Sequence, residues 1–298
     1  RYSDIDAYAM TAASIDEAVR NAVCVGVDLD KIAGLDNFCW PDPIESEKTP
    51  DGRFKLAQLV RSNRALDDVC RAYNLPCISG KDSMKNDAKL DGQKISIPPT
   101  LLYTVLGNHD DVRKAVSSDF KDKGDVIYLL GETHQELGAS ELSFMLRDET
   151  NGGIGNTVPQ IDTTRNLGMY RALTGAMDQG LVRSAHDCSD GGLAVAVAEC
   201  CFGCDGATTI NLDGLAGGEL DQWGILFGES LGRILVSVRP ENSAAFETAM
   251  TGHTITQIGT VDDKKTLQFT MGGETILKAK LSSLLESWKG TLYMGGGA

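Results

Sequence analysis

The stretch Ser184-Ala-His-Asp-Cys-Ser-Asp-Gly-Gly-Leu193 concentrates the chemistry of this chain: polar side chains crowd ahead of a glycine pair that opens an alanine-rich apolar run. His186, Asp187, Ser189 and Asp190 stand where the first backbone N–H groups of a helix are free, and Gly191-Gly192 lets a ligand approach the main chain closely. The spacing predicts a binding loop at the start of a helix over Leu193–Cys201. A plain Asp/Ser cap over a close-packed Gly-Gly is the structural alternative. Oxygen donors recur upstream, where Ile15, Val19 and Val23 make a helical apolar stripe and Glu17 and Asn21 fall four apart on the other side. The apolar strand 32–40 carries Asp36-Asn37 near its end, a favoured position for site residues. Gly80-Lys-Asp-Ser-Met84 reads as a loop after a strand at 75–79. It is not a Walker A loop, since Leu75 and Asp82 stand where glycine and Ser/Thr are needed, yet it offers an amide, a cation and a hydroxyl to a phosphate. A tight turn with a solvated lysine is the alternative there.

These groups need a scaffold, and 298 residues with 42% hydrophobic content are enough for two domains. The net charge of −14 disfavours nucleic acid, and a phosphate ligand would call for a metal between it and the protein. No apolar run has the length of a membrane span, and the first residues, Arg1-Tyr-Ser-Asp, resemble neither a signal peptide nor a natural start, so we expect a segment cut from something longer, in the cytoplasm. The eight cysteines lack a paired framework and read as reduced core thiols; Cys201 and Cys204 have redox spacing, but at the end of a helix.

Helix is expected over 54–73 and strand over 96–106. A linker at 121–124 precedes a buried strand at 125–130, placing a boundary between domains 1–122 and 123–298. Downstream come an element at 137–146, a Gly-rich loop at 151–155, a helix at 163–180, a strand at 182–185, the motif helix and a strand at 232–238. The alternation argues an α/β fold of α+β layers. Gly138-Ala-Ser-Glu141 and Phe227-Gly-Glu-Ser230 read as turns rather than catalytic groups.

His186-Asp-Cys-Ser-Asp-Gly-Gly-Leu193 resembles the HDxSDGGL signature of the superfamily of aminoimidazole ribonucleotide synthetase, selenophosphate synthetase and a hydrogenase-maturation dehydratase. Asp16-Glu-Ala-Val-Arg-Asn21, Leu35-Asp-Asn-Phe-Cys-Trp40, Ile78-Ser-Gly-Lys-Asp-Ser-Met84, Ile97-Pro-Pro-Thr-Leu101 and Phe227-Gly-Glu-Ser230 are together similar to the second half of the phosphoribosylformylglycinamidine synthase family. The resemblance implies an N-terminal domain whose strands share a barrel with a homologous partner, and a C-terminal α/β domain over it. The family's reaction converts formylglycinamide ribonucleotide, ATP and glutamine-derived ammonia to the amidine, ADP, phosphate and glutamate.

Carried over, Glu17, Asn21 and Asp187 match magnesium ligands of the family's second nucleotide site, with Ser189, Asp190 and Gly191 at the nucleotide. Asp36 and Gly80 match ATP contacts of the catalytic site and Ser83 a substrate contact. Lys81 stands where small-subunit enzymes have an asparagine metal ligand, which implies a direct phosphate contact. The resemblance leaves no catalytic residue on this chain: the family's catalytic histidines and main ATP loop lie in its other half, and no cysteine here sits in a glutaminase elbow. His186 reads as a loop-orienting residue. The implied cofactors are Mg²⁺ and ATP or ADP. The implied partners are the N-terminal half or a second copy joined through barrel strands, a glutaminase and a ribonucleotide substrate. A complete homodimeric enzyme of the same superfamily, and a scaffold with a purely structural nucleotide, are the rival readings.

Overall fold

A computed structural model describes residues 1–147, 155–204, 206–218 and 220–290. The chain builds two main sheets. The first lies between the N-terminal helices α1 (Ala7–Cys24) and α2 (Gly52–Ala72) and open space, and has strand order β2 (Cys77–Ser83), β1 (Ile32–Cys39), β5 (Thr100–Gly107). Helix α1 starts cleanly because the Asp6 side chain accepts the N–H groups of Tyr8 and Ala9. It buries Ala12, Ile15, Val19 and Val23 along one stripe. On β5, Leu101 and Tyr103 face the helices while Leu102 and Leu106 remain 62% and 54% exposed, so the outer face of this sheet is apolar and uncovered.

β1 and β2 are parallel from Gly34↔Cys77 to Cys39↔Ser83, and this corrects the loop expected at Gly80–Met84. The ladder to β1 continues through Gly-Lys-Asp-Ser, satisfying backbone groups that a loop would leave to solvent. The strand expected from 96 begins only at Thr100, since Pro98 and Pro99 have no N–H to give a ladder. A hairpin of β3 (Asp87–Leu90) and β4 (Gln93–Ser96) precedes it.

The second sheet has seven strands, in the order β12 (Glu274–Lys280), β11 (Thr266–Met271), β8 (Ala207–Asn211), β10 (Ile255–Lys264), β6 (Val126–Leu130), β9 (Ile234–Val238), β7 (Val182–Asp187). Strands β6 and β9 are buried on both faces, so alternate residues feed two cores. Val126, Tyr128, Leu130, Ile234, Val236 and Val238 join α1, α4 (Thr163–Asp178) and α7 (Ser243–Ala249) in one. Ile127, Leu129 and Leu235 join α5 (Gly192–Phe202) and α6 (Gln222–Phe227) in the other, flanked by α8 (Leu281–Gly290). Each fully buried aliphatic or aromatic side chain contributes about 1.5 to 3 kcal/mol. The first core also takes in Phe38, Trp40, Val69 and Tyr73, so it runs without a break from residues before 122 into residues after it. The short α3 (Glu141–Leu146) completes the set. Residues 151–154 of the Gly-rich loop lie outside the described residues. The fold is mixed α/β with layered helices and sheets, as the sequence predicts. No helix among the described residues is long and apolar enough to cross a membrane.

Candidate functional site

Asp187 ends β7, and the chain then turns through Cys188–Gly191 into α5. Side-chain capping by the motif's own Asp or Ser is not what starts this helix. Gly191 is the N-cap, in the left-handed region at φ 77°, and its N–H donates to Glu229 Oε1 at 2.9 Å. Gly192 follows at φ 66°, where a Cβ would stand 2.4 Å from the Gly228 carbonyl oxygen. The glycine pair therefore serves the close passage of the Phe227–Ser230 turn, which the sequence alone presents as mere punctuation. Glu229, only 5% exposed, also accepts the Glu141 N–H at 2.8 Å and the Tyr2 hydroxyl at 2.9 Å. Buried Arg233 holds the same turn from behind, donating to the Ser230 and Gly228 carbonyls.

Across from the loop stands α1. Arg20, 1% exposed, donates to the Asp16 carboxylate and, at 3.1 Å, to Ser189 Oγ, while the Ser189 hydroxyl donates to Asp187. Asp16 in turn accepts from Tyr73, from Asn166 at 3.1 Å and from Tyr170 at 3.0 Å. This network ties α1, the end of α2, α4 and the motif loop together in the dry interior, where such pairings are strongest. Arg20 Nε has no hydrogen-bond partner among the described residues.

Between these elements lies a cavity of about 150 Å³ lined by Glu17, Arg20, Ser189, Asp190 and Glu229, with Arg1 and Tyr2 at its edge. Its carboxyls are crowded. Burial, with Asp190 and Asp187 nearby, raises Glu17 despite Arg20; burial and Glu141 raise Asp190; burial raises Glu229. Glu17 and Asp190 are exposed and Glu229 is buried, and three carboxyls around one small cavity favour a cation among them. Asp187 behaves oppositely: burial works against its charge, but hydrogen bonds from His186 and Ser189 and the Arg20 charge hold it near 2. His186 is raised to about 9 in spite of burial by Asp187 and by Glu199, whose Oε2 lies 2.9 Å from Nε2.

Of the residues singled out in the sequence, Glu17, Ser189 and Asp190 line this cavity, and Asp187 stands behind Ser189. Asn21 sits one turn beyond Glu17 on the exposed side of α1. Asp36, Gly80, Lys81 and Ser83 belong to the first sheet. Asp36 pairs with Gly80, and a Cβ on Gly80 would lie 2.8 Å from Asp36 Oδ1, so the carboxylate rests on the glycine. Lys81 donates to Ser83 Oγ, and alternation puts both on the sheet face opposite Asp36. Sequence reasoning passed over Glu229, Arg20, Asp16 and Glu199. The Asp16–Arg20 spacing of four was the available signal for one pair. The partners of Glu229 are set by tertiary packing.

Among the described residues no three His, Cys, Asp or Glu side chains converge into a metal cage. Glu17, Asn21 and Asp187 carry the hard oxygens that Mg²⁺ takes, and of the three only Glu17 lines the cavity.

The fold has solved counterparts. Phosphoribosylformylglycinamidine synthase II of Thermotoga maritima matches 95% of this chain with a TM-score of 0.71 at 16% identity. T. maritima PurL complexed with FGAR matches 95% at 0.70 and 18% identity. The chain spans 42% and 44% of those two proteins. Hydrogenase maturation protein HypE in complex with ATP matches 91% of this chain and 78% of its own, at a TM-score of 0.61 and 13% identity. Residues 122–272 match the family model described as AIR synthase related protein, C-terminal domain, just over half of the sequence, and the chain belongs to that family.

Proposed function

We propose that this chain is the C-terminal half of the synthase part of a phosphoribosylformylglycinamidine synthase, a cytoplasmic purine-biosynthesis ligase. In this reading it holds a Mg-nucleotide in the cavity between α1 and the HDxSDGGL loop. The observation that carries it is the placement of Glu17, Arg20, Ser189 and Asp190 around one cavity, with Asp187 directly behind Ser189. Glu17, Asn21 and Asp187 would hold Mg²⁺; Ser189 and Asp190 would orient the nucleotide. The open face of the first sheet takes the N-terminal half of the synthase, and Lys81 and Ser83 on that face, with Asp36 and Gly80 on the other face of the same strands, complete a shared active site at this sheet. ATP bound at that second place supplies the phosphoryl group that activates the amide oxygen for displacement by ammonia from a glutaminase. The synthase motifs at 35–40, 78–84 and 97–101 and the fold shared with the PurL chains both favour this reading.

A second reading rests on one observation, the 78% coverage of HypE, a chain of comparable length. There the protein is an ATP-dependent homodimer, with the open sheet faces of two copies joined. Turnover separates the two. The half-synthase reading expects no amidine from formylglycinamide ribonucleotide, ammonia and ATP with this chain alone; product formed by the purified chain would overturn it. Nucleotide binding is tested by thermal melts with ADP or ATP, each with and without Mg²⁺. At one hundred times Kd the added stability is about 2.7 kcal/mol. A Mg²⁺-dependent rise of a few degrees is expected, and its absence would remove the site.

A further inference from the structure

Away from the cavity, the end of α2 and the start of β2 bring two thiols together. Cys70 Sγ and Cys77 Sγ are 3.8 Å apart, and the Tyr103 hydroxyl reaches both, at 3.2 and 3.3 Å. Gly34 on β1 makes the room: a Cβ there would stand 1.9 Å from the Tyr103 hydroxyl oxygen. The connecting residues reverse direction through Asn74 at φ 52°, so the two sulfurs are held side by side by a short formed turn. Cys77 is exposed and Cys70 half-buried, whereas Cys24, Cys188, Cys200 and Cys201 are buried. The pair borders an open groove of about 820 Å³ shared with Asn63, Asp67, Arg71 and Asn74, wide enough for a small oxidant to enter.

We propose that Cys70 and Cys77 are a reversible dithiol–disulfide pair, oxidised by a peroxide. Exposed Cys77 attacks the peroxide as its thiolate; the O–O bond breaks, one water leaves, and Cys77 becomes a sulfenic acid. The Cys70 sulfur then attacks the Cys77 sulfur. The S–S bond forms as the S–O bond breaks, and the hydroxyl departs with the Cys70 proton as a second water. Two thiols lose two electrons and one peroxide becomes two waters. A dithiol reductant reverses the bond by exchange. Rotation of the exposed Cys77 side chain on an edge strand closes the sulfurs from contact to the roughly 2.05 Å of a disulfide. Burial is the main reason the Cys70 thiol is pushed up to about 12, against the Tyr103 hydrogen bond, which assigns the first oxidation to Cys77 and the resolving role to Cys70.

The test uses the folded wild-type chain, treated with hydrogen peroxide, alkylated with N-ethylmaleimide and mapped by mass spectrometry. The expected product joins Cys70 to Cys77, lacks alkylation at both, and returns to two alkylatable thiols after dithiothreitol. Cys70→Ser should instead leave Cys77 as a sulfenic acid captured by dimedone. Over-oxidation of Cys77 to sulfinic or sulfonic acid in wild type with Cys70 still alkylatable, or Cys77 bridged to a second molecule, would overturn the proposal.

Discussion

Glu229 accepts the backbone N–H of Gly191 at 2.9 Å across 38 residues of sequence, so the Phe-Gly-Glu-Ser turn and the HDxSDGGL loop form one unit. Its Oε1 takes two backbone N–H groups and its Oε2 one phenol. Removing the carboxyl leaves buried donors unpaired, and Glu229→Ala should cost about 2 to 3 kcal/mol. Glu229→Gln should cost far less, because an amide oxygen can keep both N–H bonds while the amide nitrogen donates to the Tyr2 oxygen. Urea denaturation of the two variants checks the order; equal losses would contradict this account of the carboxyl.

Gly192 is the other half of that contact. A Cβ there meets the Gly228 oxygen at 2.4 Å and the Phe227 carbonyl carbon at 3.0 Å, at a φ of 66° that L side chains rarely adopt. Both obstacles are backbone and cannot swing aside. Gly192→Ala should therefore destabilise by about 3 kcal/mol through strain and overpacking. Gly175→Ala, with open space around its Cβ position inside α4, should be neutral or stabilising. Melting temperatures of the pair check both signs.

The buried ion pair makes a different prediction. Asp16 and Arg20 are 0% and 1% exposed, so neutralising Asp16 strands a cation in the interior. Asp16→Asn should cost about 3 to 5 kcal/mol, whereas Asp16→Leu combined with Arg20→Met should recover much of it by removing both charges. Chemical denaturation of the single and double variants measures the difference. A double variant as unstable as the single would mean that the Ser189 and tyrosine contacts, rather than the stranded charge, set the cost.

How much of this was legible in the sequence depends on range. Helix α2 and the doubly buried β6 follow from local periodicity and apolar runs, and the polar lining at Glu17, Ser189 and Asp190 follows from motif residues. The hairpin at Asp91-Gly92, with φ of 50° and 84°, carried a turn signal that was passed over. The Gly-Lys-Asp-Ser stretch looks like a loop because its strand character comes from the β1 ladder, a long-range partner. Glu229 and Glu199 gain their roles only from packing, since their partners lie on other elements. Their neighbouring residues give no local sign of it.

His186 sets a pH dependence. Its pKa rises from 6.5 to about 9 on folding, so the interaction stabilises fully below pH 6.5 and is lost as pH climbs through 9. The loss should approach about 3 kcal/mol. Asp187 acts at the other end: held near 2, it contributes above its ordinary value of 3.8 and ceases to as pH falls toward 2. Urea midpoints from pH 6 to 10 should decline in wild type and stay flatter in His186→Asn. Parallel curves would show that the imidazolium is not held by Asp187 and Glu199.

The two groups of candidate residues can be told apart by one pair of variants. Asp187 is tied to the cavity through Ser189, whereas Asp36 rests on Gly80 in the first sheet and does not line that cavity. With this chain alone, the thermal shift produced by Mg-ADP should vanish in Asp187→Asn and persist in Asp36→Asn. Each variant keeps its shape, since Asn is isosteric with Asp, and each must first melt cooperatively without ligand. Loss of the shift in Asp36→Asn with retention in Asp187→Asn would move the nucleotide from the HDxSDGGL cavity to the first sheet. Loss in both would mean that one nucleotide bridges the two groups.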